Sequence, residues 1–248
     1  MKSASLIAAA GALLLSGMAS AAEIKVLSTQ ATEEAYRELV PQFEKASGHK
    51  VTTVFTGTLG AMKRLADGES YDLIIMSAPS IEELIKSGKV MVGSRVDLAK
   101  SGVGVAVRKG ARKPDIGTVD ALKTTLLAAK SIGYSTGPSG VYVVSMFEKL
   151  GIVDAVKPKL KQTPTGVFVG SIIASGEAEI GFQQVSELMT FAGLDYLGPL
   201  PAAVQFTTVF AGGLQAGAKE ADAARALVKF ITAPAAATAY TKRGLEPG

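Results

Sequence analysis

The chain has no cysteine, no tryptophan and a single histidine among its 248 residues. Without cysteine it has no disulfide framework, no thiol nucleophile and no iron–sulfur site. The single histidine, His49, lies in a polar segment between an expected helix and an expected strand. We therefore do not expect a zinc site of ordinary composition or a Ser-His-Asp triad. The sequence predicts a protein that holds no metal and no other cofactor.

Aromatic residues are also scarce, at 6%, and the Lys and Arg residues form no dense run. A nucleic-acid-binding protein normally has a basic patch and aromatic side chains for stacking, so this function has little support. Hydrophobic residues make up 48% and charged residues 19% of the chain, which is typical of a folded core rather than disorder. The formal net charge of +4 suits an anionic ligand without identifying one.

The longest apolar run lies at the amino terminus. Lys2 precedes the run 6–15, and small residues with an A-x-A pattern follow in 16–22. This order is typical of a secretory signal peptide, which we place at residues 1–22. A membrane anchor is the alternative, but a span needs about 20 apolar residues, and the charged Glu23 follows at once. We therefore predict that the mature protein is periplasmic.

The rest of the sequence alternates between short apolar runs and amphipathic segments. A continuous β-branched run predicts a strand, and apolar residues at three- and four-residue spacing predict a helix. Residues 197–201 (LGPLP) are expected to be a connecting segment. The alternation predicts an α/β fold with mostly parallel sheets and right-handed crossovers. Strands are expected at 24–27, 51–55, 72–76, 102–108, 132–134, 179–182 and 205–214, and helices at 32–47, 61–67, 79–88, 118–130, 139–150, 167–175, 218–232 and 234–243.

Four segments share one pattern, in which small or hydroxyl residues lead from a strand or loop into a helix. They are 28–31 (STQA), 56–58 (TGT), 135–140 (STGPSG) and 163–166 (TPTG). Backbone N–H groups at a helix start can bind an anion without any charged side chain. Each segment by itself is equally typical of an ordinary helix cap. Four of them at the carboxyl ends of strands favour one shared anion site.

The same segments carry a resemblance to a known family. Residues 24–31 (IKVLSTQA), 55–58 (FTGT) and 72–78 (DLIIMSA) are similar to the first strand, the second loop and the third strand of type II periplasmic binding proteins, in their molybdate-binding branch. Residues 137–142 (GPSGVY) and 175–182 (SGEAEIGF) resemble a Pro-Ala-Gly-Ile-Tyr segment and a late strand of that branch. The similarity extends over nearly the whole chain after the signal peptide.

The resemblance implies two lobes, each a mostly parallel sheet flanked by helices, with a ligand cleft between them. Lobe I would comprise residues 23–97 and 206–248, and lobe II residues 98–205. Closure of the lobes would hold a small anion, which a membrane permease of the ABC type would then receive. We expect a monomer, because a receptor that bends at a hinge must keep both lobes free.

The ligand-binding residues that follow from the motifs and the resemblance lie in the loops after the expected strands. They are Ser28, Thr29, Gln30, Ala31, Thr56, Gly57, Thr58, Ser77, Ser135, Thr136, Ser139, Gly140, Val141, Tyr142, Gly166, Gln183 and Gln184.

Three of these positions depart from the pattern of molybdate binders. Ala31 stands where those proteins have a hydroxyl residue, Gln184 where they have a tyrosine, and Gly166 where they have valine. A carboxamide offers both a donor and an acceptor, which suits a carboxylate better than a bare tetrahedral oxyanion. We therefore expect a small organic acid, such as a tricarboxylate, rather than molybdate.

Two functions compete at this point. A solute receptor for an importer needs only the cleft and is the function that the sequence favours. The alternative is a cofactor-independent enzyme on the same scaffold, because some relatives of the molybdate-binding branch resemble aconitate isomerases. A 1,3-proton shift needs an acid–base group near the reacting carbon. Among Glu33, Glu34, Tyr142 and Glu187, the catalytic candidates are Tyr142 and Glu187.

Overall fold

The computed structural model describes residues 21–248. Within that range the chain forms an α/β protein with ten strands and ten α-helices. The predicted signal peptide, residues 1–22, lies outside the described residues except for its last two positions and stays a prediction. None of the helices in the described range is long and apolar enough to span a membrane.

The elements follow the alternation that the sequence predicts. The strands are β1 (Glu23–Thr29), β2 (Lys50–Thr56), β3 (Leu73–Ser77), β4 (Val96–Arg108), β5 (Ile132–Tyr134), β6 (Leu160–Gln162), β7 (Ile180–Gln184), β8 (Leu194–Pro199), β9 (Thr207–Leu214) and β10 (Glu246–Pro247). The α-helices are α1 (Glu33–Ser47), α2 (Thr58–Ala66), α3 (Ala78–Lys86), α4 (Val119–Ala128), α5 (Pro138–Lys149), α6 (Val153–Val156), α7 (Val169–Ala174), α8 (Val185–Met189), α9 (Ala221–Ile231) and α10 (Ala237–Thr241).

Lobe I is built around β1, which pairs in parallel with β2 and β3. Strand β9 pairs antiparallel with β3, and the first half of β4 pairs antiparallel with β9. Successive side chains of a strand point to opposite faces of the sheet. Val26 therefore packs on the face covered by α1, α9 and α10, whereas Leu27 packs on the face covered by α2 and α3. Both faces of the sheet carry a buried apolar core.

Lobe II has the same layered plan. Strand β5 pairs in parallel with β6 and β7, and the second half of β4 pairs antiparallel with β7 and β8. Leu122 of α4 and Phe147 of α5 pack on one face, and Ile173 of α7 and Leu188 of α8 pack on the other. The antiparallel strands β4, β8 and β9 make both sheets mixed, a feature that alternation along the chain does not predict.

Strand β4 belongs to both lobes. It pairs with β9 from Val96 to Gly102 and with β7 from Val103 to Val107. The change of partner at 102/103 comes five residues after the predicted lobe boundary at 97/98. The residue limits of the lobes stay a prediction, but the strand itself forms one of the connections between them.

Several short segments differ from the sequence-based expectation: α6, β6 and β10 are too short to show a period, and two further cases are informative. Residues 197–201 were expected to connect other elements, but most of them belong to β8, which pairs with β4. Gly198 and Pro199 give this strand the composition of a turn, so only the pairing with β4 identifies it. Helix α8 was not expected either, because five residues are too few to show a helical period.

Candidate ligand site in the cleft between the lobes

The carboxyl ends of parallel strands from the two lobes meet at a cleft. On the lobe I side the lining residues lie at or just after the ends of β1 and β2. On the lobe II side they lie just after β5 and at the end of β7. The residues that line the cleft are Thr29, Gln30, Ala31, Gly57, Thr58, Ser135, Thr136, Gly137, Pro138, Ser139, Gly166, Val167, Gln183, Gln184, Glu187 and Phe210. No Lys or Arg is among these described lining residues, so an anion here would be bound by neutral donors.

Helix starts supply part of those donors. Helix α2 begins directly after Gly57 and α5 directly after Gly137, and both glycines line the cleft. The first N–H groups of a helix have no acceptor within the helix, and the helix dipole is positive at that end. The hydroxyls of Thr58 and Ser139, in the first turns of the same helices, add further donors.

Gly140 allows the first turn of α5 to pack directly on the loop that ends β5. A Cβ at this position would clash with the backbone carbonyl group of Ser135. Within the loop, Ser135 Oγ accepts a hydrogen bond of 3.2 Å from the N–H of Gly137 and lies 3.4 Å from Ser139 Oγ. Because Gly140 has no side chain, α5 can pack closely on this loop, and the packing fixes the Ser135 and Ser139 hydroxyls at the cleft wall.

Gln183 and Gln184, the last residues of β7, are held by different partners. Gln183 Oε1 accepts a hydrogen bond of 2.8 Å from the N–H of Val169. Since a backbone N–H only donates, the amide nitrogen of Gln183 is the end that donates, and the Glu187 carboxyl is one of its acceptors. Gln184 Nε2 donates to Thr208 Oγ1 on β9 at 3.0 Å, and the Gln184 side chain accepts from the N–H of Glu187 in the capping box that begins α8. Both neighbouring amides are therefore held in place by partners within the protein.

Glu187 is the only carboxylic acid among the described residues that line the cleft. It lies in the first turn of α8, where its Oε2 accepts a hydrogen bond of 3.3 Å from the N–H of Gln184. Burial raises the pKa of Glu187 to about 8, and hydrogen bonds from the Gln184 backbone and the Gln183 side chain oppose that rise. The negative charge of Glu33 adds to the rise. At neutral pH the protonated form of Glu187 predominates, and the carboxylate form is the minor one.

The two lobes touch across the cleft. Gln30 Nε2 of lobe I donates to the carbonyl oxygen of Gly166 in lobe II at 3.0 Å. Ser186 Oγ of lobe II donates to the carbonyl oxygen of Ala31 in lobe I at 2.8 Å. Gly166 has φ 81°, a backbone conformation that favours glycine, which explains why valine would not suit this position. These contacts describe a closed arrangement.

The closed cleft is narrow. Its free space is about 30 Å³, enough for about two or three water molecules at 10–15 Å³ each. A neighbouring cavity of about 110 Å³ shares Gln30, Ala31 and Glu187 with the cleft and also borders Glu33 and Arg243. Glu187 therefore borders two adjoining spaces between the lobes.

Eleven of the predicted ligand-binding residues line the cleft. They are Thr29, Gln30, Ala31, Gly57, Thr58, Ser135, Thr136, Ser139, Gly166, Gln183 and Gln184. Their contact with a ligand stays a prediction. Because the strand ends converge, residues separated by more than 150 positions in sequence come together around one space.

Four other predicted residues stand close behind or beside the lining. Ser28 is fully buried, and its Oγ donates to the carbonyl oxygen of Thr29. Ser77 Oγ lies 2.8 Å from Ser80 Oγ at the start of α3. Thr56 precedes Gly57 at the rim, and Gly140 is the residue of α5 that packs against the backbone of Ser135. These residues shape the loops, and none of them is among those that line the cleft.

Val141 and Tyr142 point away from the cleft. Val141 is 69% exposed. Tyr142 donates a hydrogen bond of 2.7 Å to the carbonyl oxygen of Val204, and its ring stacks on Phe206 with centroids 4.7 Å apart. The structure thus brings Glu187 to the cleft but not Tyr142, so we leave Tyr142 out of the site that we propose.

Sequence reasoning did not select four lining residues: Gly137, Pro138, Val167 and Phe210. The first three lie within or beside the small-residue segments and could have been included with them. Phe210 gives no such signal, because it is an apolar residue in a buried strand. It reaches the cleft because β9 pairs with β3, which places Phe210 opposite Ser77.

Outside the cleft, the described residues form fewer groupings that could bind a ligand or a metal ion. A groove of about 560 Å³ lies between the loop after β4 and helix α4. It opens near the amino end of β7, the opposite end from the cleft, and its lining is largely apolar. Within the described residues, no three His, Cys, Asp or Glu side chains are grouped so that they could hold a metal ion.

Known proteins are similar to this chain over nearly its whole length. Residues 24–246 match the family described as bacterial extracellular solute-binding protein. The chain is 36% identical over 230 residues to an aconitate isomerase from Pseudomonas sp., which covers 90% of this chain and 87% of the relative. It is 30% identical over 239 residues to the molybdate-binding protein ModA of Azotobacter vinelandii, which covers 93% of this chain and 92% of the relative.

The fold is also similar to a solved structure, that of the periplasmic molybdate-binding protein of Azotobacter vinelandii. The TM-score is 0.76 at 20% identity, over 91% of this chain and 99% of that one. This similarity confirms the predicted α/β fold of the periplasmic binding protein type. The match over residues 24–246 confirms the resemblance that the sequence motifs carry. The chain belongs to the family of bacterial extracellular solute-binding proteins.

Proposed function

We propose that this protein binds a small polycarboxylic acid in the cleft and catalyses a 1,3-proton shift on it, as in the interconversion of cis- and trans-aconitate. The observation that carries the proposal is the position of Glu187, an acid–base group at the cleft with a pKa raised to about 8. A receptor needs no such group, whereas an isomerase does. This reverses the preference for a receptor that the sequence alone gives. The aconitate isomerase at 36% identity supports the same conclusion.

Glu187 can serve both halves of the reaction. In its ionised form it takes a proton from the CH₂ carbon of the acid, and the electron pair of that C–H bond forms a new double bond to the central carbon. The electron pair of the old double bond then forms a C–H bond at the far carbon, with the proton that the now neutral Glu187 donates. The product has the same composition as the substrate, so the step requires no oxidant, reductant or cofactor. A pKa near the working pH favours a group that must both accept and donate.

The lining of the cleft supports a carboxylate ligand. Hydroxyls, helix-start N–H groups and the amide nitrogen of Gln183 supply donors for carboxylate oxygens without any fixed positive charge. The free space of about 30 Å³ is too small for a tricarboxylate. The lobes therefore separate further to admit it, or the acid also occupies the neighbouring cavity across Glu187.

A receptor without chemistry is the second candidate, supported by the family and by a cleft built almost wholly of neutral donors. In that function, neutral Glu187 donates a hydrogen bond to the bound anion. The protein would work in the periplasm after removal of residues 1–22 and deliver its ligand to an ABC-type permease. Its ligand would be an organic acid or, as for the Azotobacter vinelandii relative, molybdate.

The test is incubation of the mature protein with cis- or trans-aconitate, followed by chromatography of the acids. We expect each isomer to yield a mixture, and Glu187→Gln to lower the rate by a factor of about 10²–10⁴. The variant keeps the size of the side chain and one carbonyl oxygen as acceptor, so aconitate should still raise its melting temperature. Glu177→Gln, at an exposed position outside the cleft, is the matched control and should leave the rate unchanged.

The outcomes separate the candidates. Aconitate that stabilises the protein and is recovered unchanged would reject the isomerase and support the receptor. Stabilisation by molybdate or tungstate, with none by citrate or aconitate, would reject the carboxylate ligand as well. Full activity of the Glu187→Gln variant would reject Glu187 as the acid–base group.

A further inference from the structure

A second space lies directly behind Glu187. Glu187 borders the cleft on one side and the neighbouring cavity of about 110 Å³ on the other. At 10–15 Å³ for each molecule, this cavity has room for about seven to eleven waters, whereas the cleft has room for about two or three. The acid–base group thus lies between the ligand space and a larger space that can hold water.

The walls of the neighbouring cavity suit water. Hydroxyl and carboxyl groups line it from both lobes, with Ser186 and Thr190 on the lobe II side and Glu33 and Glu34 on the lobe I side. A buried water needs two to four polar partners, and these groups provide them. Glu34 is exposed, so the lining reaches the protein surface at the first turn of α1.

The same walls do not suit a carboxylate. Glu33 and Glu34 place two carboxyl groups around the cavity, and like charges repel. Arg243 is the one cation among the described lining residues, and it is already paired with Glu38 at 2.8 Å and bonded to the carbonyl oxygen of Ala239 at 2.9 Å. A ligand carboxylate in this cavity would therefore meet repulsion without a free cation to offset it. We expect the acid to stay on the cleft side of Glu187.

The carboxyl group of Glu187 is fixed at the boundary of the two spaces. Its hydrogen-bond donors, the side chain of Gln183 and the backbone N–H of Gln184, belong to residues that line the cleft and not the neighbouring cavity. Ser186, the residue before Glu187, donates to the carbonyl oxygen of Ala31 at 2.8 Å and so anchors the helix to lobe I. The carboxyl group can therefore face one space without leaving the other.

We propose that Glu187 exchanges its proton with solvent through the neighbouring cavity while the acid stays in the cleft. This step rests on the proposed function and extends it. After Glu187 has taken a proton from the CH₂ carbon, that proton passes to a water molecule in the cavity, and another proton from water returns to the carboxyl group. Glu187 then donates this second proton to the far carbon. The composition of the acid and the charge of the protein are unchanged at the end.

Isomerisation of aconitate in D₂O distinguishes this exchange from direct return of the proton. If Glu187 returned the proton that it took from the substrate, the first product molecules would contain no deuterium. If the proton exchanges in the cavity, the product carries one deuterium at the far carbon. Mass spectrometry of the two isomers at low conversion measures the deuterated fraction of the product, which does not depend on how much of the protein is active.

Filling the neighbouring cavity should block the route. Thr190→Met extends an apolar side chain from the lobe II wall, and Leu245→Phe does so from the lobe I wall, so the test does not depend on one variant that fails to fold. We expect each to lower the deuterated fraction about threefold or more, because less room for water remains beside Glu187. The KM for aconitate should change by less than about twofold, because the acid does not enter this cavity.

Thr190→Val is the matched control. Valine has the shape of threonine and leaves the cavity as large as before. Like Thr190→Met, this variant lacks the hydrogen bond of 2.9 Å from Thr190 Oγ1 to the carbonyl oxygen of Ser186. It should keep the deuterated fraction of the unsubstituted protein. Any effect that comes from losing this bond, rather than from filling the cavity, would appear in both variants.

Three outcomes would overturn this route and leave the proposed function intact, since the unsubstituted protein still isomerises aconitate in each. They are a product without deuterium, an unchanged deuterated fraction in both filling variants, and an equal fall in Thr190→Met and Thr190→Val. A KM raised about tenfold or more in both filling variants would place part of the acid in the neighbouring cavity and also overturn it. Absence of isomerisation by the unsubstituted protein would reject the proposed function and this route with it.

Discussion

Glu187 experiences opposing influences on its ionisation. Burial between the lobes and the charge of Glu33 favour the neutral acid, whereas hydrogen bonds from Gln183 and the Gln184 backbone favour the carboxylate. The result is a pKa raised to about 8, well above that of an exposed glutamic acid. Below this pH the carboxyl is protonated, so the base that begins a proton shift is the minor form at neutral pH.

This environment predicts the pH dependence of the isomerisation. If Glu187 accepts the proton, kcat/KM should rise about tenfold per pH unit below pH 8 and level off above it, since only the ionised form is a base. Gln183→Leu removes a donor to the carboxylate, so the midpoint should move to higher pH. Initial rates from pH 6 to 9.5 measure both effects. A flat profile over this range would contradict the assignment.

At the scale of elements, the site depends on how closely helix starts approach strand ends. The start of α5 lies against the loop after β5, and the contact leaves no room for a side chain at Gly140. Gly137, three residues earlier, has ordinary space around it, with Ser135 Oγ as the nearest atom at 3.6 Å. The same type of residue is therefore required at one position and tolerated at the other.

Alanine substitutions should separate these two glycines. Gly140→Ala places a methyl group against backbone atoms of Ser135, which should destabilise the protein by about 1–3 kcal/mol and weaken ligand binding. This outweighs the gain of up to about 1 kcal/mol in helix propensity. Gly137→Ala is the control and should change the free energy of unfolding by less than about 0.5 kcal/mol. Urea unfolding measures both, and equal effects would contradict the close packing.

At the scale of the whole molecule, closure is supported by a few polar contacts between lobes. The Gln30–Gly166 and Ser186–Ala31 hydrogen bonds cross the cleft on either side of the ligand space. In both bonds the acceptor is a backbone carbonyl oxygen. The bonds therefore depend on the position of the lobes more than on the identity of the accepting residue. A ligand that bridges the lobes shifts the balance further towards closure.

Removing one of these bonds should open the molecule. Ser186→Ala deletes a buried donor to the carbonyl oxygen of Ala31 and should weaken ligand binding about fivefold, since a typical hydrogen bond stabilises by about 1 kcal/mol. Ser175→Ala removes an exposed bond to the carbonyl oxygen of Ile172 at the end of α7, outside the inter-lobe contacts, and serves as the control. Small-angle scattering should show a larger radius of gyration for Ser186→Ala alone. Identical scattering and affinity in both variants would contradict the role of this contact.

Sequence and structure agree best where the information is local. The hydroxyl-rich segments at 28–31, 56–58 and 135–140 follow strands, and the structure gathers residues from all three at the cleft. Strand β8 and helix α8 were not found, because one is defined by its pairing with β4 and the other is too short for a period. Tyr142 and Glu187 were equal candidates, since nothing in their local sequence shows which way each side chain points.

The sequence by itself determined the α/β class, the family, the small-residue loops and the absence of cysteine chemistry, because each depends on residue types at short spacing. Only the tertiary structure decided that Phe210 reaches the cleft, that Tyr142 turns away from it and that Gln184 bonds to Thr208 across the hinge strand. It also decided the pKa of Glu187, which arises from burial between two lobes. These features depend on which distant segments share a neighbourhood, and that is fixed when the sheets pair and the lobes meet.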